Sequence, residues 1–310
     1  MKTLALDGLI PATLTPLTEA FEVDEAALRD YIQWLLRFDG LKGFAVNMDT
    51  GEGPHLTREE KRRIVSIWKD EVKGRLPILA GVAGPSTASA VHEARDAEET
   101  GADGLVIFPI PAYAGQPLPP EIPVKYHETI AHSVSIPLIL FQLQPSLSGV
   151  IFSRETLERL LEIESVVAIK EASFDPITFV NTVGTVKRAS RKITLLTGND
   201  NFILESFLLG AEGALIGFGT LAVAEQIRML EQAKGGNFSE ALGIYRRKVR
   251  PLANAIFSDP VRSYRARLKE ALRTLGVLRN SHMRPPLLPL DAAQCQAVRD
   301  SLKKVGLLKA

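Results

Sequence analysis

Eight short apolar runs alternate with longer amphipathic stretches along this chain. The runs fall at residues 9–14, 43–48, 76–82, 104–110, 137–143, 166–172, 193–197 and 214–218. Most are apolar at consecutive positions, not at every second one, which is the pattern of parallel strands covered on both faces. The stretches between them carry helix start and stop signals. Asp24 precedes EAALRDYIQWLLRF, and Thr57 stands three residues before Glu60, a capping-box spacing. Ser86 opens a stretch that ends on Gly101, Ser153 opens SRETLERLLEIE, and Asp175 precedes Pro176 at a first helical position. Eight strand–helix units predict an α/β protein, a (β/α)8 TIM barrel. A doubly wound open sheet is the competing arrangement, weakened by the lack of a GxGxxG turn after the first run. From about Ala222 onward the pattern reads as helices only. The expected division is a barrel at residues 1–235 and a C-terminal helical extension at residues 236–310.

Composition narrows the partners. The 310 residues are 45% hydrophobic and carry a formal net charge of +1, so nothing favours nucleic acid or an anionic membrane. The opening segment MKTLALDGLIPATLTP has no long apolar core, and neither a signal peptide nor a membrane span is expected. The single cysteine, Cys295, excludes an internal disulfide and argues against a thiolate metal site. A cytoplasmic protein is the plain expectation. His55, His92, His127, His132 and His282 show no metal-ligand spacing. The basic stretches YRRKVR and RSYRARLK are interrupted by apolar positions and read as solvated or subunit-facing helix surface.

Two segments carry chemistry. In VVAIKEAS, a buried-strand pattern ends on Lys170 and Glu171. At a strand C-terminus of a barrel, a lysine enters the region where such folds build active sites. Burial lowers its pKa, and a neutral amine can attack a carbonyl carbon. A rim lysine paired with Glu171 is the plainer alternative. In VNMDTGEGPHLTREEK, a strand ends on a turn containing Thr50, Gly51 and Glu52. Such a turn points backbone N–H groups at an anion, unless it is only a tight turn with a capping acid.

Together these segments resemble the dihydrodipicolinate synthase / N-acetylneuraminate lyase family. MDTGEGPHLTREEK resembles its Gly-Thr-Thr-Gly-Glu turn and helix start, VVAIKEAS its strand-six lysine, and LLTGND its Leu-x-Gly-x-Asp segment. GLIPATLTPLTEAFEVD and MRPPLLPLD are also similar to family segments, so the resemblance spans nearly the whole chain in order. It implies a class I, Schiff-base-forming lyase, an aldolase or dehydratase, in which Lys170 forms an imine with pyruvate or a longer 2-oxo (sugar) acid. The backbone N–H groups of Asp49 and Thr50, beside Gly51, would hold the substrate carboxylate, and Glu52 would brace that turn. Gly198, Asn199, Asp200 and Asn201 would face the distal part of the substrate, with Ile216 and Gly217 lining the pocket. The resemblance implies no metal and no organic cofactor beyond the covalent imine. It also implies a homo-oligomer, dimer or tetramer.

Three departures matter. The family's strand-five tyrosine is its general acid/base, but here the strand reads LILFQLQPSLSG. Phe141 takes that position with one extra residue before Pro145, or Gln142 does if the spacing to Pro145 is kept. Neither shuttles a proton as a phenol does. Leu147 stands where the dihydrodipicolinate synthases place a carboxylate-binding arginine, so that particular activity is not expected. Asp49 replaces the first turn hydroxyl. Its charge would repel a bound carboxylate by about 4 kcal/mol at roughly 4 Å and an effective dielectric near 20. Either Asp49 is protonated or turned away, or it has taken over proton transfer, and we expect the second. Tyr113, in IPAYAGQP, matches a family tyrosine that reaches a neighbouring subunit's site, and it is the other candidate phenol. If no proton shuttle exists, the alternative is a family relative that binds a small metabolite without turning it over.

Overall fold

The computed structural model describes residues 4–115 and 117–309. Eight strands, β1 Leu9–Pro11, β2 Phe44–Val46, β3 Ile78–Val82, β4 Gly104–Ile107, β5 Leu138–Leu143, β6 Val166–Ala172, β7 Thr194–Thr197 and β8 Gly213–Ile216, lie within or overlap the eight apolar runs. They form one sheet in the order β1-β8-β7-β6-β5-β4-β3-β2, and every pair in that order is parallel. Parallel bridges Leu9↔Leu41 and Ala12↔Ala45 bring β1 to β2 and close the barrel. The expected (β/α)8 barrel is therefore the fold. The last strand is shorter than its apolar run, because the chain turns at Gly217 into a 3-10 segment, Gly217–Thr220.

Eight helices follow the strands: α1 Glu25–Leu35, α2 Arg58–Val72, α3 Thr87–Glu99, α4 Glu121–Ala131, α5 Arg154–Leu161, α6 Pro176–Lys187, α7 Ile203–Leu209 and α8 Val223–Lys234. The side chains of Asp24, Thr57, Ser86, Ser153 and Asp175 accept from amides of the first turns, and Glu60 completes the box at α2. These bonds satisfy donors that a helix cannot satisfy itself. Strand side chains alternate between two packed cores. Ile139, Phe141, Leu143, Ala168, Ala172, Leu196 and Leu215 point into the barrel, while Leu138, Leu140, Ile169, Leu195 and Ile216 pack against the helices. Period-two alternation thus decides which residues can reach the barrel interior.

Beyond the barrel, α9 Phe238–Ile244 passes through a π-helical turn, Tyr245–Val249, into α10 Arg250–Ile256. Pro251, which has no N–H to give, follows this turn at the start of α10, and the Arg250 amide donates to the Tyr245 carbonyl across it. Then α11, Tyr264–Thr274, runs to the turn that follows β2, and α12, Ala292–Lys304, packs on it. Among the described residues, no helix is long and apolar enough to cross a membrane.

Candidate active site

Lys170 lies near the C-terminal end of β6 and is 7% exposed. It falls between Ala168 and Ala172 in the inward-facing set, so alternation sends its side chain into the barrel. In the parallel register it pairs with Phe141 on β5, and its Nζ lies 4.0 Å from the centroid of that ring. Burial lowers the amine's pKa to about 8, against the opposing pull of Asp200 and Asp49. The Asp200 carboxyl accepts a hydrogen bond from the Phe218 amide at 2.8 Å, and burial pushes its pKa up to about 7. Gly198 leaves room for the amine's stem. A Cβ there would lie 2.9 Å from Lys170 Cε and 2.7 Å from Ala172 Cβ.

The turn after β2 is a short 3-10 segment, Asp49–Gly51. The leading amides of such a segment, here those of Asp49 and Thr50, have no acceptor within it. Thr15 Oγ1 donates to the Gly51 carbonyl at 2.8 Å and fastens the turn to the loop after β1. Gly217 presses close on the other side, where a Cβ would sit 2.7 Å from Thr50 Oγ1. Glu52 takes a left-handed conformation, with φ 59°. A non-glycine residue holds that region only where its surroundings fix it. Here Lys269 pairs with Glu52 Oε1 and the Arg284 amide donates to Oε2 at 2.8 Å. Arg284 in turn grips Glu60 through two bonds of 2.6 Å, so the late MRPP segment anchors on the α2 cap.

The Asp49 charge is compensated. Arg265 Nη2 pairs with Asp49 Oδ1, Arg265 Nε donates to the Asp49 carbonyl at 2.7 Å, and the Tyr264 hydroxyl donates to Oδ2 at 2.8 Å. Tyr264 Oη also lies 3.4 Å from Thr50 Oγ1, and its ring stacks on Phe257 at 4.9 Å. Sequence reading missed these partners. From Tyr264 on, RSYRARLK is not a solvated surface: Tyr264, Arg265, Arg267 and Lys269 are all buried. The available signal was the pair of acids in an anion-binding turn, which needs cations from elsewhere in the chain.

Other expected site residues lie elsewhere. Of the two candidates for the tyrosine position, Phe141 faces the amine. Gln142 faces outward, donating to Thr182 Oγ1 at 2.9 Å and accepting from the Phe152 amide at 3.1 Å. The Ile216 side chain packs in the outer core and not in the barrel-interior cluster. Asn199 donates to Glu171 Oε2 at 2.7 Å and accepts from the Phe174 amide at 2.6 Å, which makes it a brace between the loops after β6 and β7. Asn201 Nδ2 donates to the Phe174 carbonyl at 3.2 Å. Glu171 is thereby paired with Asn199 and not with Lys170. Tyr113 is fully buried between Tyr126 and Phe152, with ring centroids 5.9 and 6.1 Å away. The 3-10 turn Pro111–Tyr113 tucks it into the layer between strands and helices of this chain, away from the barrel-interior cluster around Lys170.

The Lys269–Glu52 pair is 1% exposed on both sides, and breaking one partner strands a buried charge. Lys269→Met should lower folding stability by about 3–5 kcal/mol, and Lys269→Met/Glu52→Gln should recover much of that loss. Urea denaturation of the three proteins measures both.

Comparison with known proteins agrees with this architecture. The model of the Dihydrodipicolinate synthetase family matches residues 5–305. A 4-hydroxy-tetrahydrodipicolinate synthase of Methanothermobacter thermautotrophicus is 32% identical over 283 residues, covering 90% of this chain and 95% of the relative. The enzyme of the same name from Nitrobacter hamburgensis is 31% identical over 302 residues, 97% of each chain. A crystal structure of the chloride-inhibited dihydrodipicolinate synthase of Acinetobacter baumannii complexed with pyruvate superposes with a TM-score of 0.86 at 26% identity, covering 98% of this chain and 99% of that one.

Proposed function

We propose, from the premise that the chain belongs to the dihydrodipicolinate synthetase family, that Lys170 is the imine-forming residue of a lyase acting on pyruvate or a longer 2-oxo acid. The observation that carries this reading is the amine itself, buried near a strand C-terminus with its pKa lowered to about 8. The neutral amine attacks the keto carbon. An Nζ–C bond forms, the carbonyl oxygen takes up protons and leaves as water, and an iminium remains. That cation accepts the electron pair left behind when a proton departs or a C–C bond breaks at the neighbouring carbon, and the enamine so formed can expel a protonated hydroxyl as water from the carbon one further along.

The leading amides of the Asp49–Gly51 turn would hold the substrate carboxylate, with Glu52 bracing them through Lys269 and the Arg284 amide. Asp200, facing the amine from the loop after β7, is the distal substrate contact. Dihydrodipicolinate synthesis itself is not proposed. Leu147 lies partly buried against the barrel-interior cluster and gives a second carboxylate nothing to bind. No cofactor enters the chemistry as proposed. A cytoplasmic homo-oligomer remains the accompanying proposal.

Incubation with pyruvate and borohydride, followed by peptide mass spectrometry, tests the reading. The expected result is a reduced adduct on Lys170. Adduct without consumption of any 2-oxo acid would favour the relative that binds without turnover, and no adduct with any carbonyl compound would end the imine reading.

A further inference from the structure

The barrel presents a phenyl ring, Phe141, to the amine, and Tyr113 is sealed in the outer core. A phenol nonetheless stands at the carboxylate turn. It is Tyr264, delivered by the first residue of α11 from outside the barrel. The geometry points to Tyr264 as the proton relay of this site, working with Asp49 as the terminal base.

Four features carry this inference, which rests on the imine reading above. The Tyr264 hydroxyl is already directed at a base, 2.8 Å from Asp49 Oδ2. Arg265 occupies Oδ1 and leaves Oδ2 to the phenol. The hydroxyl also lies 3.4 Å from Thr50 Oγ1, within the turn proposed to hold the substrate carboxylate. Finally, the close approach at Gly217 is to the turn itself: a Cβ there would stand 2.7 Å from Thr50 Oγ1 but at an ordinary contact distance, 3.4 Å, from Tyr264 Cε2, so the glycine lets the turn hydroxyl sit beside the phenol. In a 2-oxo acid, the carboxylate carbon and the carbon that loses its proton are both bonded to the keto carbon. A phenol beside the carboxylate turn therefore lies near both.

The step balances without a further reagent. The C–H electron pair of the carbon beside the iminium becomes the enamine double bond, and the C=N π pair moves onto nitrogen. The proton passes to Tyr264 Oη as the Tyr264 proton passes to Asp49 Oδ2. The reverse transfer returns it. Burial raises the phenol's pKa well above its ordinary value, which suits concerted transfer and disfavours a standing phenolate.

The test is exchange of the pyruvate methyl protons with deuterium oxide, followed by NMR beside borohydride trapping. Tyr264→Phe keeps the ring on Phe257 and removes only the hydroxyl. It should still give the Lys170 adduct after long incubation, with exchange slowed by roughly 10²-fold or more, the scale of a lost general base. Asp49→Asn should slow exchange similarly, and the double variant should be no slower than the worse single one. Exchange in Tyr264→Phe within about threefold of the parent, or single effects that multiply, would overturn the relay and leave the imine reading intact. A parent protein that forms no adduct would overturn both.

Discussion

Lys170→Ala should form no borohydride-trapped adduct and should lose turnover on the order of 10⁴-fold, the scale on which removal of a covalent nucleophile is felt. The pH profile adds a sharper expectation. An ordinary lysine is neutral in roughly one molecule in a few thousand at pH 7. With its pKa lowered to about 8 by burial, Lys170 is neutral in about one in ten. Adduct formation should therefore rise about tenfold per pH unit below 8 and level off above it, where an exposed lysine would keep gaining to beyond pH 10. Asp200 titrates in the adjoining range, at about 7, so the profile belongs to the pair. The Asp200 charge holds the amine's pKa up, so Asp200→Asn should move the plateau to lower pH. A profile still climbing at pH 10 in the parent would show that the amine is not desolvated as the barrel implies.

The fold was legible because parallel strands covered on both faces write themselves as consecutive apolar residues, and most of the eight runs do so. Lys170 was legible for the same reason, since an ammonium stands out at the end of such a run. The choice between Phe141 and Gln142 was not. Every residue of LILFQL is buried, so burial does not separate the inward set from the outward one. Only the register, with Phe141 opposite the inward-facing Lys170, settles it. Tyr264, Arg265 and Lys269 stayed hidden because basic residues along a helix resemble a solvated face. Their burial depends on a contact between residues more than two hundred positions apart, and no local pattern reports that. Even so, the sequence posed the right electrostatic question at Asp49, and the answer lay in the extension.

That answer makes Arg265 the most consequential residue outside the barrel. Arg265→Met would leave the Asp49 charge beside the position proposed for the substrate carboxylate without the guanidinium paired to it. At roughly 4 Å and an effective dielectric near 20 the repulsion is about 4 kcal/mol, or roughly 10³-fold in affinity. The half-saturating pyruvate concentration for adduct formation should rise by about that factor. Arg265→Lys should recover only part of the loss, because one ammonium cannot hold both the Asp49 carboxylate and its carbonyl as the guanidinium fork does. The double variant Arg265→Met/Asp49→Asn separates charge from scaffolding. With the carboxylate gone, affinity for pyruvate should return to within about tenfold of the parent, while methyl-proton exchange stays slow because the base is missing. If the double variant binds no better than Arg265→Met alone, the guanidinium acts by fixing the turn's backbone, and the electrostatic account of Asp49 is wrong.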